Sequence, residues 1–516
     1  MNLHSIRNPI PLLGVTLLIS SLVISSPITA EEAPQPSLYE QEKAKEPEHQ
    51  VDNQLLIVWN TSSSKKQTGV LSILQGRSAP VISQNKQITP EVSLITLQPE
   101  TDTERVMKEL AKNPEIQSVE PNQTIRALLP RPGGPRVNLA KADVVGRYVR
   151  STTATDPLLE NQWAHPLLHV QESWELLQPS QKSVTVAVID TGADLSHPDL
   201  ADILLPGKDY IDKDDTPLDL HGHGTHVSGI IAAISDNSVG ITGLTGKADV
   251  KILPMKVLDS NGEGTVASEV QAIYDAVAMG ANVINLSLGS DEYSQAERNA
   301  VRYAVQQGVM VVAATGNEYA SVGYPAAYAE AVAVGATNQS DNVPDFSNFG
   351  SQVDLVAPGV DILSTVPREI NKSGYDYSTG TSMATPHVAA LAALLMTQLP
   401  DATSSEIEQI MKDTAVDLGT KGKDKYAGYG RIDFLAAIQK AKEAAQPPAK
   451  TYTLSELQAD PSLFHQLLAS YPSSQITVKA ADGSTYLWKD LVSQSATMAS
   501  IFKQDPALVE ITFSSQ

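Results

Sequence analysis

Between about residues 156 and 442, short runs dense in Val, Ile and Leu alternate with stretches of helical periodicity, and no other feature limits the fold as strongly. The runs are "VTVAVID", "KILPMKVL", "ANVINLSL", "VMVVAAT" and "AVAVGA". Short strands that are apolar on successive residues are covered on both faces, as in parallel sheets. Segments such as "ASEVQAIYDAVAMG" and "SQAERNAVRYAVQQG" lie between them and end at glycine, which closes helices. Strand and helix in turn predict an α/β fold, a doubly wound and mostly parallel sheet whose sites gather beyond the carboxyl ends of the strands.

The flanks are smaller units. The stretch "MNLHSIRNPIPLLGVTLLISSLVISSPITA" joins Arg7 to an apolar run and ends on small residues, so residues 1–30 are expected to be a secretory signal peptide. The apolar run is shorter than the ~20 residues of a spanning helix, and no later segment is long and apolar enough to span. No membrane association is expected after signal cleavage, and the localisation expected is extracellular. Residues 31–53 are polar and aperiodic. From about 53 to 123, "QLLIVW" and "VSLITL" suggest strands, "TDTERVMKELAKNP" a helix with Thr103 near its cap, and "IQSVEPN" a closing strand and turn. This is a compact α+β unit. Residues 124–150 carry Arg126, Arg131, Arg136, Lys141, Arg147 and Arg150 around "PRPGGPR", an expected exposed basic linker open to proteolysis. The large α/β domain is expected over 151–442, a linker at "EAAQPPAK", and a small α+β accessory domain of unknown role over 451–516, with Tyr452, Tyr471, Tyr486 and Trp488 but no motif.

Charge and cysteine usage remove several functions. The 59 acidic and 37 basic side chains leave a formal charge of -22, which repels phosphate backbones and argues against nucleic acid as a partner. Zero cysteines exclude disulfides, thiolate metal sites and a cysteine nucleophile.

Asp190 ends the first buried run in "AVIDTGADLSHPDL", where an acid is costly without a task or a partner. "HGHGTHVSGIIAAI" then opens a helix at three histidines, and Ser382 stands in "GTSMATPHVAAL". A serine hydroxyl is a weak nucleophile. It needs a neutral imidazole to take its proton and a buried carboxylate to hold that imidazole in the right tautomer. A zinc cluster at His221, His223 and His226 is the competing reading, but "HGHGTH" lacks the glutamate and the i, i+4 histidine pair of a metalloprotease helix. His226 reads as a structural histidine, and Ser382 taken alone reads as a helix cap.

The motifs "VIDTGAD", "HGHGTHVSG" and "GTSMATPHVA", in the order Asp, His, Ser, resemble those of the subtilisin-like serine proteases. The resemblance spans roughly 156–440, and the unit ending in "SVEPN" is similar, more loosely, to the family's inhibitory propeptide. It implies a secreted endopeptidase made as a self-processing zymogen, with residues 31–150 as propeptide. Asp190 would orient His223, His223 would act as base and then acid, and Ser382 would attack the scissile carbonyl. Asn317, in "AATGNEYASVGYP", would donate to the oxyanion. Ser287, Leu288 and Gly289 would pair with an extended substrate, and Gly316 and Gly323 would leave the first specificity pocket open, with Glu318 near its rim.

Calcium is implied on the same basis. Asp209, Asp212, Asp214 and Thr216 resemble the middle calcium loop of the thermitase-like branch, with Leu218 replacing a polar ligand. Asp156, Asp199 and Asn237 resemble the family's tight site. Pro386 is expected in the first turn of its helix, where no intrahelical donor is needed. The expected partners are protein or peptide substrates and the chain's own propeptide, and the expected state is a monomer. The alternatives are a dedicated maturation peptidase for one exported peptide and a non-catalytic binding protein on a protease scaffold.

Overall fold

The computed structural model describes residues 50–60, 82–128, 156–180, 182–444, 450–471 and 473–513. The expected signal peptide and residues 129–150 of the expected linker lie outside the described residues.

The N-terminal unit contains β1 (Gln50–Trp59), β2 (Ile82–Gln87), β3 (Val92–Leu97), α1 (Thr103–Leu110) and β4 (Ile116–Ala127). Its strands lie antiparallel in the order β4-β1-β3-β2. Residues 55–59 are all fully buried, which a one-sided sheet could not achieve. Because successive side chains point to opposite faces, Leu55, Ile57 and Trp59 pack with Val106 and Leu110 of α1, while Leu56 and Val58 join a core shared with the large domain. Thr103 lies next to the cap of α1, as expected, and the cap itself is Asp102, whose extended backbone lets the carboxylate accept from the Arg105 N–H.

The large domain contributes β5 (Val184–Asp190), β6 (Lys208–Asp209), α2 (His223–Ala232), β7 (Val250–Lys256), β8 (Glu263–Thr265), α3 (Val266–Ala278), β9 (Val283–Leu286), β10 (Leu288–Gly289), α4 (Gln295–Gln306), β11 (Met310–Ala314), β12 (Val332–Thr337), β13 (Leu355–Pro358) and α5 (Thr381–Gln398). Seven strands form a parallel sheet in the order β13-β12-β11-β9-β5-β7-β6. Side chains alternate between two cores: Val186 and Val188 face the α2 and α5 side, and Ala187 and Ile189 face the α3 and α4 side. This double covering is why the strand runs lack polar alternation. The helix α5 is buried from Thr381 to Thr397, so it has no solvent face.

Two expectations are corrected here. Pro386 is not in the first turn of α5, which begins at Thr381, and its missing N–H leaves the Ser382 carbonyl without its i+4 donor. The Ser287 hydroxyl donates to that carbonyl at 2.9 Å, so the proline opens a tie between the helix and the neighbouring loop. The expected exposed linker also does not begin at 124. Residues 124–127 continue β4 between β8 and β10, and Ile125, Ala127 and Leu128 are buried.

The tail forms a four-stranded sheet from Lys450–Thr453, Glu510–Phe513, Ile476–Lys479 and Thr485–Leu487. Four short helices complete a core of its own, in which Leu454, Leu457, Val478, Ile511 and Phe513 are central. Among the described residues, no helix is long and apolar enough to cross a membrane.

Candidate active site

The strand β5 delivers Asp190, fully buried, to the carboxyl edge of the sheet. The helix α2 begins with His223, whose Nδ1 lies 2.8 and 3.0 Å from the two Asp190 carboxylate oxygens. The next residue must be small, because a Cβ on Gly224 would stand 2.2 Å from the Gly192 carbonyl oxygen. Burial resists charge on His223, but the adjacent Asp190 carboxylate outweighs it and leaves the ring pKa raised. The arrangement therefore favours an imidazolium once a proton arrives.

Asp219 organises this corner, and the sequence argument passed over it. Its carboxylate accepts from the His221, Gly222 and Thr225 N–H groups and from the hydroxyls of Thr191 and Thr225. Thr191 in turn accepts from the Gly224 N–H at 2.9 Å. The available signal was an acid just before a histidine-led helix, where unpaired N–H groups need an acceptor. His226 is structural as expected. Its Nε2 lies 3.0 Å from the Ile362 carbonyl, and burial with His223 nearby pulls its pKa down to about 3. The zinc reading finds no support, since no group of three or more His, Cys, Asp or Glu among the described residues is arranged to hold a metal.

Ser382 is the second residue of α5 and fully buried. The Thr381 N–H and hydroxyl both donate to Asn317 Oδ1, at 2.9 and 3.0 Å, which orients the Asn317 amide nitrogen. That nitrogen donates at 2.6 Å to the carbonyl of Leu128, in the N-terminal unit. The Ser382 hydroxyl lies 2.8 Å from the same carbonyl and 3.0 Å from that of Ser287. Among the described residues, His223 Nε2 is buried without a hydrogen-bond partner. The structure thus joins Asp190 to His223, and Ser382 to Asn317, with a main-chain carbonyl occupying the serine's hydroxyl.

The strand β4 reaches this point as an inserted strand. Ala127 pairs with Leu288 and Arg126 with Gly289 on one side, and Thr124, Ile125 and Arg126 pair with Thr265, Gly264 and Glu263 on the other. The Leu128 N–H donates to the Ser287 carbonyl at 3.4 Å. A pocket lined by Leu128, Gly289, Gly316, Glu318, Gly323 and Asn348 follows, so the expected pocket glycines meet there. A Cβ on Gly316 would come within 2.2 Å of the Asn348 amide.

The two loops expected to bind calcium differ. Asp156 and Asp199 are buried against the 236–242 loop, and every donor shown to reach them is neutral: main-chain N–H groups, the Thr242 and Tyr375 hydroxyls and the Asn237 amide. Burial raises the Asp199 pKa against those hydrogen bonds. Two buried acids met by neutral donors carry charge that a hard divalent cation would neutralise, while the Asn237 amide turns its nitrogen rather than its oxygen to Asp199. In the other loop Asp209 accepts from the Ile211 and Asp212 N–H groups and Asp214 from Thr216 N–H, while Asp212, Asp214 and Thr216 are exposed. Among the described residues, these acids do not form a group of three or more arranged to hold a metal.

A hydroxyl and an amide directed at one peptide carbonyl, beside a buried Asp–His pair on a doubly wound sheet, define a serine hydrolase of the α/β class. Sequence comparisons agree. The subtilase family profile matches residues 181–430, and the fervidolysin N-terminal prodomain profile matches residues 39–122. The chain is 40% identical to the thermophilic serine proteinase of Bacillus sp. (strain AK1) over 65% of its length and 76% of the relative. It is also 40% identical to thermitase of Thermoactinomyces vulgaris, over 56% of this chain and 99% of the relative, and 44% identical to subtilisin Savinase of Lederbergia lenta, over 46% and 85%. The chain belongs to the subtilase family and is a subtilisin-like serine protease with an N-terminal prodomain.

Proposed function

We propose that the protein is a secreted endopeptidase that matures by cutting its own prodomain and uses Asp190, His223 and Ser382 as its triad. The observation that carries this is the placement of Ser382 Oγ and Asn317 Nδ2 at 2.8 and 2.6 Å from one peptide carbonyl oxygen. For attack, the Ser382 hydroxyl turns from that oxygen and gives its proton to His223 Nε2, which has no hydrogen-bond partner among the described residues. Asp190 stabilises the imidazolium, and Asn317 holds the oxygen as negative charge develops. His223 then returns the proton to the leaving amine, and water resolves the acyl-enzyme by the same route reversed. Substrate would enter as an extended strand between β8 and β10, held by main-chain hydrogen bonds, with Ser287, Leu288 and Gly289 on one side.

Calcium would be held by Asp156, Asp199 and Asn237, where it would neutralise the two buried acids. Binding to the folded state alone would stabilise it. The loop with Asp209, Asp212, Asp214 and Thr216 is a second, looser candidate. The matured chain is proposed to act as a monomer in the extracellular space.

The deciding experiment is casein and peptide-library cleavage by purified protein and by Ser382→Ala, each with and without a calcium chelator. Loss of cleavage in the variant supports the nucleophile. A folded, prodomain-free enzyme that cleaves nothing overturns the reading. Chelation is expected to lower the melting temperature; an unchanged melting temperature would remove calcium from the proposal.

A further inference from the structure

The protease reading leaves open which peptide bond the enzyme cuts in its own chain and what that bond says about other substrates. We infer that the maturation bond is Leu128–Leu129, and that the residues before it, Ile125-Arg126-Ala127-Leu128, are a sequence the cleft is built to select. The inference rests on the catalytic roles proposed above.

Position comes first. Only one peptide carbonyl among the described residues accepts from both Ser382 Oγ and Asn317 Nδ2, and it belongs to Leu128. The register is anchored upstream by Ala127 opposite Leu288, Arg126 opposite Gly289 and Ile125 opposite Gly264, and by the Ala127 N–H donating to the Gly262 carbonyl at 2.8 Å. A slip of one residue would turn each of these side chains to the opposite face, exposing Ile125 and burying Arg126. The observed burial, Ile125 at 1% and Leu128 at 7% exposure, holds the strand in its present register.

Side-chain chemistry comes second. Leu128 lines the pocket formed by Gly289, Gly316 and Gly323, so an unbranched-Cβ apolar residue is favoured directly before the cleaved bond. Two positions earlier, the Arg126 guanidinium lies 4.0 Å from Glu318 at the rim of that pocket. Glu318 is held by the Asn317 N–H at 2.7 Å and the Asn348 amide at 3.1 Å, so its charge is fixed in place. An acid there disfavours a second acid and favours a base.

In the step itself Ser382 Oγ bonds to the Leu128 carbonyl carbon, the carbon–nitrogen bond to Leu129 breaks, and the serine proton passes through His223 to the new Leu129 amine. Water then cleaves the ester, releasing a prodomain that ends in the Leu128 carboxylate.

The test is intact-mass analysis of the prodomain fragment released by the full chain early in maturation. A fragment ending at Leu128 is expected. A Ser382-dependent fragment ending elsewhere overturns the bond while leaving the protease reading intact, whereas no Ser382-dependent cut at all defeats the protease reading itself. Leu128→Asp should slow the first cut on the order of 100-fold, since an unpaired carboxylate enters an apolar pocket. Leu128→Met, which keeps the shape, should retain both rate and cut site; loss of both in Met as in Asp would mean a folding defect, and the peptide arm then decides. In that arm mature enzyme is given Ile-Arg-Ala-Leu-Leu and Ile-Glu-Ala-Leu-Leu peptides. Cleavage after the first Leu, with about a two- to fivefold preference for Arg that fades in salt, is expected of a partly exposed pair. Equal rates would overturn the role of Glu318, and cleavage at another bond would overturn the register.

Discussion

The prodomain and the C-terminal tail are both small α+β units with capped helices, yet they relate to the peptidase domain in opposite ways. The tail keeps its apolar side chains in a core of its own. The prodomain divides its apolar side chains between its own helix and the peptidase core, and its last strand joins two peptidase strands. Polar groups follow the same division. Glu120 accepts from the Ser294 hydroxyl and from the Gln295 and Ala296 N–H groups at the start of α4, and Asn122 accepts from the Ala267 N–H at the start of α3. Each satisfies donors that a helix leaves unpaired. A small domain docks when its edge strand and its polar side chains complete another domain's unfinished hydrogen bonding.

The largest expected effect is that of Ser382→Ala. Loss of the nucleophile should reduce turnover by about 10⁶-fold and leave the prodomain strand uncut in the cleft, as judged by precursor accumulating on gels. Normal maturation of that variant would break the view of the docked strand as substrate. Asn317→Ala should retain docking but lower kcat by about 10²- to 10³-fold, measured with saturating peptide.

Next in size, Glu120→Ala should weaken inhibition by separately added prodomain about 10- to 100-fold, because several hydrogen bonds to one carboxylate are lost. An unchanged inhibition constant would mean that the strand alone provides docking. A fourth prediction concerns pH. Glu297 and Glu269 are buried side by side beneath this contact; burial raises the Glu297 pKa to about 7, with Glu120 adding to it, and burial beside Glu297 raises Glu269 also. A carboxyl whose folded pKa lies above its unfolded value supports the fold at low pH and loses that support as pH rises through the folded pKa. Precursor stability should therefore fall between about pH 4.5 and 7. Glu297→Gln, followed by thermal melts across that range, should flatten the fall. The smallest effect is expected from removing residues 450–516: peptide turnover and prodomain inhibition should change less than about twofold, in keeping with a tail whose core is its own. A larger loss would show that the tail supports the peptidase fold and would weaken the contrast.

Much of this was legible beforehand, because it depends on local patterns. Unbroken apolar runs imply strands covered twice, and Asp190, His223 and Ser382 stand out because ionisable or hydroxyl groups are costly at the ends of buried elements. The limits are equally physical. Asp219 serves through five hydrogen bonds to loop and helix groups, and its place just before a helix marks only an acceptor for that helix, not the bond to Thr191 of a distant strand end. Pro386 looked like a first-turn proline until the helix start at Thr381 showed which carbonyl it frees and that Ser287 satisfies it. Residues 124–128 looked like the start of an exposed basic linker because Arg126 dominates a short stretch, whereas their strand partners lie more than a hundred residues away in sequence.

The amino-acid sequence by itself determined the doubly wound sheet and singled out the candidate reacting side chains, since these follow from periodicity and from the chemistry each residue type can perform. Tertiary structure alone decided that Leu128 meets Ser382 and Asn317, and that one accessory unit docks while the other keeps a separate core. Those outcomes depend on hydrogen bonds and buried faces shared between distant segments, which no local stretch of chain encodes.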